Sequence, residues 1–297
     1  MDVLIDYQGP WGLGDLLCSD PLVLGLYEQH GPGTRIYLRG RPGNILHNPR
    51  VTGMAQDGQT FDRVVPVTLF SHMDPQRFAR LEAMPSLIDH MCSYGDVAPS
   101  DRRPRLHLTA ADLAINSQLP KKGRVRIALC ADYIDPLRHW PVDRWRTVAA
   151  TLQAAGAEVV GIGIEHRLGV GIDCVGALTL RQAAAVLTTC DLFVGNNSGP
   201  FHYAQAAGVD CVTLFSLAVP SRFVHPGARV HVVEATGLPC LHCMSRCFVA
   251  MQQTGCIASP RGRCMTDIPV ERVLDAIDAA LQQRALSAGQ ASRSARH

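Results

Sequence analysis

The amino-acid sequence predicts an α/β protein of two domains. Its 297 residues are about twice the length of a typical domain. Short runs rich in Val, Ile and Leu alternate with runs of helical periodicity, which is the order of an open parallel sheet. Glycine turns directly follow two of the predicted strands, and such sheets bind ligands at the carboxyl ends of their strands.

In the first half of the chain, the pattern predicts strands at 3–7, 34–38 and 62–67. Between the first two, Pro21 indicates a helix over 21–30 capped by Ser19 or Asp20. A helix that starts earlier, at Asp15, and is kinked at Pro21 is the alternative. We assign residues 1–118 to this domain, and the run 99–105, which has no periodicity, is expected to begin the crossing to the second domain.

The second half alternates more regularly, and we assign residues 119–286 to its domain. Pro141 opens a helix with Trp145 on its apolar face, and Thr179 and Gln182 form a capping box for another. Small and basic residues predict a disordered tail over 287–297. Strands are expected at 124–130, 158–163, 192–194, 211–215 and 229–233, and a last amphipathic helix after Pro269.

Composition and charge exclude several classes of protein. The formal net charge of +2 is too small to indicate nucleic acid or an anionic membrane as the partner. No apolar run approaches the ~20 residues that cross a bilayer, and the acidic N-terminus lacks the basic stretch of a signal peptide. We therefore expect a cytoplasmic protein, with peripheral association with the inner membrane left open.

The segment 195–202, with the sequence GNNSGPFH, is the most informative feature of the chain. It follows a predicted strand and precedes a run of small residues that favours helix. Unpaired amides at a helix N-terminus stabilise anions, so a phosphate beside Ser198 and Gly199 needs no lysine. A second glycine turn at 12–15 offers the carboxylate of Asp15. Together the turns predict a phosphate-linked ligand in one domain and a base in the other.

Three motifs follow one another along the chain: the Gly-Leu-Gly-Asp turn at 12–15, Arg138 just before Trp140 and Pro141, and the 197–202 segment. In this order they resemble glycosyltransferase family 9, whose inverting sugar-nucleotide transferases are typified by ADP-heptose:lipopolysaccharide heptosyltransferases. The resemblance covers most of the chain. It implies the GT-B fold, in which two Rossmann-like domains face each other across a cleft.

The resemblance implies that an acceptor hydroxyl displaces a nucleoside diphosphate from the anomeric carbon of the donor sugar. Asp15 would be the general base, and positive groups without a divalent metal would stabilise the leaving diphosphate. Each of three residues also has a purely structural interpretation. Asp15 could complement a helix N-terminus, His202 could be a core histidine, and Glu165 could be a solvated loop residue. The implied donor-binding residues are Gly14, Arg138, Glu165, Asn197, Ser198, Gly199, Pro200 and His202.

The chain departs from the family pattern in three respects. Asn197 stands where the family usually has aspartate, and Arg138 stands where lysine is frequent. A guanidinium can bind two phosphate oxygens, which keeps the phosphate role of that position. The first domain is also shorter than usual.

The chain has eleven cysteines, which we expect to be thiols because no secretion signal precedes them. Five lie between residues 240 and 264, and paired thiolates there suit a structural iron or zinc ion. A subset of the family that modifies adhesins carries a four-cysteine iron motif at this position. That resemblance implies Cys240, Cys243, Cys256 and Cys264 as ligands, with Cys247 spare. A set of reduced, partly buried thiols is the alternative.

We therefore predict an inverting transferase that moves heptose from ADP-heptose to a hydroxyl of a glycan or protein. Homo-oligomerisation is left open. A transferase for another nucleotide sugar is one alternative. A degenerate family member that binds nucleotide sugars or proteins without turnover is another, motivated by Asn197 and the short first domain. A nicotinamide-dependent oxidoreductase is disfavoured because the first turn lacks the third glycine of that fingerprint.

Overall fold

A computed structural model describes residues 1–9, 12–41, 43–68, 86–132, 136–169, 171–243, 256, 258 and 260–294. Its strands form two separate sheets, and every strand pair in both is parallel. The first sheet has the order β3-β2-β1-β4. Its strands are β1 Asp2–Gln8, β2 Arg35–Arg39, β3 Val51–Met54 and β4 Arg63–Thr68.

The second sheet has the order β10-β9-β8-β5-β6-β7. Every residue of its strands β5, β8 and β9 is buried, as expected for parallel strands covered on both faces. The strands are β5 Arg126–Cys130, β6 Glu158–Gly161, β7 Ile172–Asp173, β8 Leu192–Asn196, β9 Asp210–Leu214 and β10 Val230–Val233.

Helices connect the strands and cover the sheets. None of the helices in the described residues is both long and apolar enough to cross a membrane. Short 3₁₀ turns lie at Gly43–His47, Pro136–Arg138 and Pro220–Arg222. The α-helices are α1 Leu13–Leu17, α2 Asp20–His30, α3 Leu87–Ser93, α4 Ala110–Leu113, α5 Ile115–Gln118, α6 Val142–Ala154, α7 Leu180–Leu187, α8 Gly199–Ala206, α9 Arg263–Thr266 and α10 Val270–Ser294.

The prediction of the first helix is only partly right, because the chain forms two helices there. Helix α1 ends at Leu17, and α2 begins at Asp20 with Pro21 in its first turn. Ser19 lies between them, but its hydroxyl makes no cap bond. That hydroxyl instead donates to the Leu16 carbonyl at 2.6 Å and contacts the Tyr7 hydroxyl at 2.7 Å. The Ser19 side chain therefore ties the helix junction to the first strand.

Two short strands and the end of the last helix differ from the sequence prediction. Strands β3 and β7 were not predicted; the latter has only two residues, too few for a periodic pattern. The disordered tail predicted from residue 287 is wrong as far as Ser294, where α10 ends. Alanine, glutamine and arginine in this segment favour helix, and propagation from a helix already formed upstream outweighs the poorer propensity of its serines and glycine.

The first sheet has one buried core and the second has a core on each face, and the chain passes to the second sheet before residue 118. Leu106, Leu108, Ile115 and Leu119 pack against one core of the second sheet. The packing thus crosses between domains close to the 99–105 run. Leu17 of α1 also belongs to this core, although its helix follows the first strand. The two domains are therefore in close contact beside the 12–15 turn.

The strand order of the second sheet creates a crevice between β5 and β8. The chain leaves β5 for β6 on one side, whereas β8 and β9 lie on the other. Ligands of open parallel sheets bind at such a switch point, outside the carboxyl ends of the strands. Arg138 follows β5 and the 197–202 segment follows β8. The topology therefore brings two predicted site elements to one edge of the sheet.

Candidate active site

The two glycine turns contact each other across the domain interface. Gly14 of α1 is buried, and a Cβ added there would lie 2.6 Å from Cδ2 of His202 and 3.1 Å from Cα of Gly199. The first separation is shorter than real Cβ contacts, and the second is tighter than most of them. Helix α1 can therefore pack on the start of α8 only because position 14 has no side chain.

The turn before α8 is bonded to the sheet, but no side chain caps the first N–H groups of the helix. Asn197 donates its backbone N–H to the Leu214 carbonyl at 3.2 Å, which fixes the turn to β9. The Ser198 hydroxyl donates to the Asn196 carbonyl at 3.3 Å and makes no bond to the helix amides. The first amides of α8, around Gly199, are thus not capped by that side chain and can bind an anion. Pro200 lies in the first turn of the helix, where a missing N–H costs nothing.

Arg138 is held against this turn from the neighbouring strand. It ends the 3₁₀ turn that follows β5, and its Nη1 donates to the Asn197 carbonyl at 3.0 Å. The side chain is half-buried. A guanidinium and a helix N-terminus therefore converge on one edge of the sheet, which is an arrangement suited to a diphosphate.

Asp15 lies in the first turn of α1 and is half-buried. Burial raises the pKa of its carboxyl group to about 6, although the Arg138 guanidinium and a hydrogen bond from the Gly12 amide act in the opposite direction. The influence of Arg138 puts the carboxylate within electrostatic range of the second domain. An aspartate with this pKa is ionised at neutral pH and is more basic than an ordinary one, as a general base requires.

His202 is buried, with 3% of its surface exposed. Burial, together with the charge of Arg138, lowers the pKa of its imidazole to about 4. The ring is therefore neutral at physiological pH. Its Nδ1 lies 3.0 Å from Nε2 of His225 and 3.5 Å from Sγ of Cys18. Sequence reasoning missed both partners, because Cys18 is 184 residues away and belongs to no motif.

Glu165 is exposed on the loop after β6. The backbone amides of that loop bind Asp132, which follows β5 and was also missed by sequence reasoning. The Asp132 carboxylate accepts from the amides of Glu165 at 3.3 Å and His166 at 3.0 Å, and from that of Ile164. The Asp132 carboxylate therefore holds Glu165 at the same edge of the sheet as Arg138.

The tryptophans beside Arg138 are core residues, as the sequence predicted. Trp140 and Trp145 are fully buried, and their rings meet edge to face with centroids 4.7 Å apart. Nε1 of Trp140 donates to the Ile268 carbonyl at 2.9 Å. These indoles anchor the segment that carries Arg138 and leave no face for stacking on a nucleobase.

The four cysteines predicted to bind a metal lie near one another. Burial, together with the nearby thiols of Cys256, Cys243 and Cys240, raises the pKa of the Cys264 thiol to about 11. All four are free thiols; Cys247 lies outside the described residues. In the described part of the chain, a different group has potential metal-ligand atoms that all lie within 4.8 Å of one another. It consists of Cys18, His202 and His225.

Comparison with known proteins gives one family. The family described as glycosyltransferase family 9 (heptosyltransferase) matches residues 51–251, which is more than half of the chain. No individual curated protein matches the sequence significantly.

Several solved structures share the fold along nearly the whole chain. A family 9 glycosyltransferase from Veillonella parvula is 15% identical, with a TM-score of 0.72 over 95% of this chain and 97% of that one. E. coli ADP-heptose lipopolysaccharide heptosyltransferase II is 16% identical, with a TM-score of 0.62 over 96% and 100%.

A third similar structure is TibC of enterotoxigenic E. coli, described as a dodecameric iron-containing heptosyltransferase in complex with ADP-D-β-D-heptose. It is 17% identical, with a TM-score of 0.72 over 95% of this chain and 76% of that one. At these identities the likeness is one of fold. The GT-B fold predicted from the sequence is thereby confirmed.

We predict that Asp15→Asn stabilises the protein near pH 8. Folding disfavours the ionised form of the Asp15 carboxyl group. The contribution of this group to the stability of the folded protein is therefore complete below pH 3.8 and is lost as the pH rises through about 6. The difference between these pKa values corresponds to at most about 3 kcal/mol of unfolding free energy. Urea denaturation at a pH above and below this window measures it.

The control for this measurement is Asp143→Asn, which changes a carboxylate whose side chain is 92% exposed. We expect a change of no more than about 0.5 kcal/mol at either pH. Equal stability changes for Asp15→Asn at both pH values would contradict the assignment of a raised pKa to Asp15.

Proposed function

The chain belongs to glycosyltransferase family 9, and we propose that it is an inverting transferase that moves heptose from ADP-heptose to an acceptor hydroxyl. The proposal depends on one observation: Asp15 of the first domain faces Arg138 and the start of α8 in the second. This arrangement supports a base in the first domain that acts on a donor held in the second. The ADP-heptose bound to TibC supports this choice of donor.

The donor diphosphate would bind at the start of α8. The guanidinium of Arg138 and the amides of Ser198 and Gly199 stabilise the charge that grows on the departing diphosphate. His202 is neutral there and contributes a hydrogen bond rather than a charge. These groups supply the positive potential themselves, so the proposal needs no catalytic divalent metal. Glu165, on the adjacent loop, is our candidate for the ribose hydroxyls.

Asp15 would activate the acceptor. As the acceptor oxygen forms its bond to the anomeric carbon, the bond from that carbon to the diphosphate breaks, and the acceptor proton passes to the Asp15 carboxylate. The attack comes from the face opposite the diphosphate, which inverts the anomeric configuration. The close contact of Gly14 with Gly199 would hold the two domains, and with them the reacting groups, in a fixed relation.

Asn197 does not argue for a degenerate protein. Its backbone N–H donates to Leu214 and its carbonyl accepts from Arg138, and neither contact requires a carboxylate side chain. We therefore favour an enzyme over a binding module. The acceptor is a hydroxyl of a glycan or a protein, and the dodecameric state of TibC motivates a test for oligomers.

We also propose that Cys240, Cys243, Cys256 and Cys264 hold a structural iron or zinc ion. Four soft thiolates suit either metal, and the influence of the other three thiols on Cys264 puts them in one neighbourhood. The iron in TibC supports this assignment. When bound, the ion would crosslink the segment between β10 and α10; it takes no part in transfer.

The first test concerns the base. We predict that Asp15→Asn lowers kcat at least about 100-fold while ADP binding stays within about threefold of the wild type. In the wild type, kcat/KM should fall as the pH drops through about 6, because the carboxyl group must be ionised to accept a proton. An unchanged kcat in Asp15→Asn would remove Asp15 as the base.

The second test concerns the diphosphate site. We predict that Arg138→Ala weakens ADP binding about 10- to 100-fold, which corresponds to a lost charged hydrogen bond, and that Arg138→Lys weakens it less. Calorimetry gives both values. The control is Arg146→Ala, since Arg146 pairs with Asp143 on an exposed helix face and should not matter. Wild-type affinity in Arg138→Ala would contradict the site.

The third test concerns the cysteines. Elemental analysis of the full-length protein should find iron or zinc that the double variant Cys240→Ser, Cys243→Ser has lost. The control is Cys190→Ser, whose thiol is buried in a core of the second sheet. Unchanged metal content in the double variant would contradict the assignment.

A further inference from the structure

Cys18, His202 and His225 form a buried cluster of metal-binding side chains between the two domains. Cys18 follows α1 at the start of the first domain, His202 lies on α8, and His225 follows the 3₁₀ turn Pro220–Arg222. All three side chains are buried, with 0%, 3% and 4% of their surface exposed. No part of the proposed transfer reaction uses Cys18 or His225.

The ligand atoms of the cluster converge on one point. Nδ1 of His202 lies 3.0 Å from Nε2 of His225, and Sγ of Cys18 lies 3.5 Å from each nitrogen. A tetrahedral zinc ion with Zn–N of about 2.0 Å and Zn–S of about 2.3 Å separates its nitrogen ligands by about 3.3 Å, and sulfur from nitrogen by about 3.5 Å. The observed triangle matches this to within a few tenths of an ångström.

The surroundings hold the two histidines in place. Gln205, on the same helix as His202, accepts the backbone N–H of His225 at 2.7 Å and donates to the Phe223 carbonyl at 3.1 Å. The loop that carries His225 is therefore fixed to α8. The carboxylate of Asp15 lies within electrostatic range of Cys18, which favours a cation there. The Gln205 contacts fix the backbone of the loop, whereas Nδ1 of His225 is buried and has no hydrogen-bond partner among the described residues.

We propose that Cys18, His202 and His225 form a zinc site that bridges the two domains. The thiol releases its proton to solvent as the sulfur–zinc bond forms, and both imidazoles bind as neutral rings. One thiolate and two imidazoles select zinc over magnesium or calcium, which prefer oxygen ligands. Three protein ligands leave the fourth position for water or a ligand atom.

Such a site would act on the domains rather than on the sugar. It would tie the end of α1 to α8 and so preserve the contact of Gly14 with Gly199. It would also fix the His202 ring through Nδ1, which leaves the other nitrogen for the donor side. The site differs from the C-terminal cysteine cluster in position and in ligand type.

Cobalt spectroscopy of the full-length chain tests the proposal without a transfer assay. The protein should carry Cys240→Ser and Cys243→Ser, so that the C-terminal cluster does not contribute. We expect one Co²⁺ per chain, the visible bands of a tetrahedral ion and a near-ultraviolet charge-transfer band from a single thiolate, all removed by added Zn²⁺. No cobalt binding, or binding without the thiolate band, would overturn the site.

Single substitutions in the same background identify the ligands. Cys18→Ser should lose the thiolate band and at least about tenfold in zinc affinity, since even supporting residues of metal sites contribute that much. Cys92→Ser, which changes a buried thiol of the first core, is the control and should change neither. A thiolate band retained in Cys18→Ser would overturn the proposal.

His225→Gln provides a second variant that keeps Cys18 and serves if Cys18→Ser fails to fold. It should keep the thiolate band but lose at least about tenfold in zinc affinity, and wild-type affinity would contradict the site. A chain that transfers heptose and binds no zinc would overturn this inference alone, whereas zinc binding without transfer would leave it standing and reject the proposed function.

Discussion

The packing of α1 against the start of α8 is the contact on which the rest of the site depends. Gly14 and Gly199 lie so close that a methyl group at position 14 would be 3.1 Å from the Gly199 Cα. The contact lies next to Asp15, whose carboxyl group is partly desolvated and within electrostatic range of Arg138. Without it, each domain would carry one half of the proposed site, the carboxylate of Asp15 or the turn before α8, and neither half would have a partner.

The electrostatics of the cleft follow from this burial. Desolvation outweighs the Arg138 charge at Asp15 and raises the pKa of that residue, whereas at His202 both effects act together and lower the pKa. The result is a basic carboxylate beside a neutral imidazole. A fixed guanidinium and uncapped helix amides complete the arrangement. A negatively charged ligand that replaces the excluded water would be stabilised by the guanidinium and the amides.

The sequence predicted the parts of this arrangement that depend on local pattern. The central strands, the capping box of Thr179 with Gln182 and the turn at 195–202 follow from periodicity and turn chemistry over a few residues. Cys18, His225 and Asp132 have no such local pattern, because folding brings them to the site from distant positions. The raised pKa of Asp15 could not be predicted from the sequence either, because it depends on burial in the folded protein. Strand β7 was too short to be detected, and α10 extends into the predicted tail as far as Ser294.

The contact between the glycine turns is tested most directly by comparing Gly14→Ala with Gly33→Ala. A Cβ at position 33 would meet no atom within 4 Å, so that variant controls for the general cost of replacing glycine. We expect Gly14→Ala to separate α1 from α8 and to lower the rate of the proposed transfer from ADP-heptose at least about 100-fold, while Gly33→Ala keeps the wild-type rate. Equal rates in the two variants would contradict the claim that contact between the turns builds the active site.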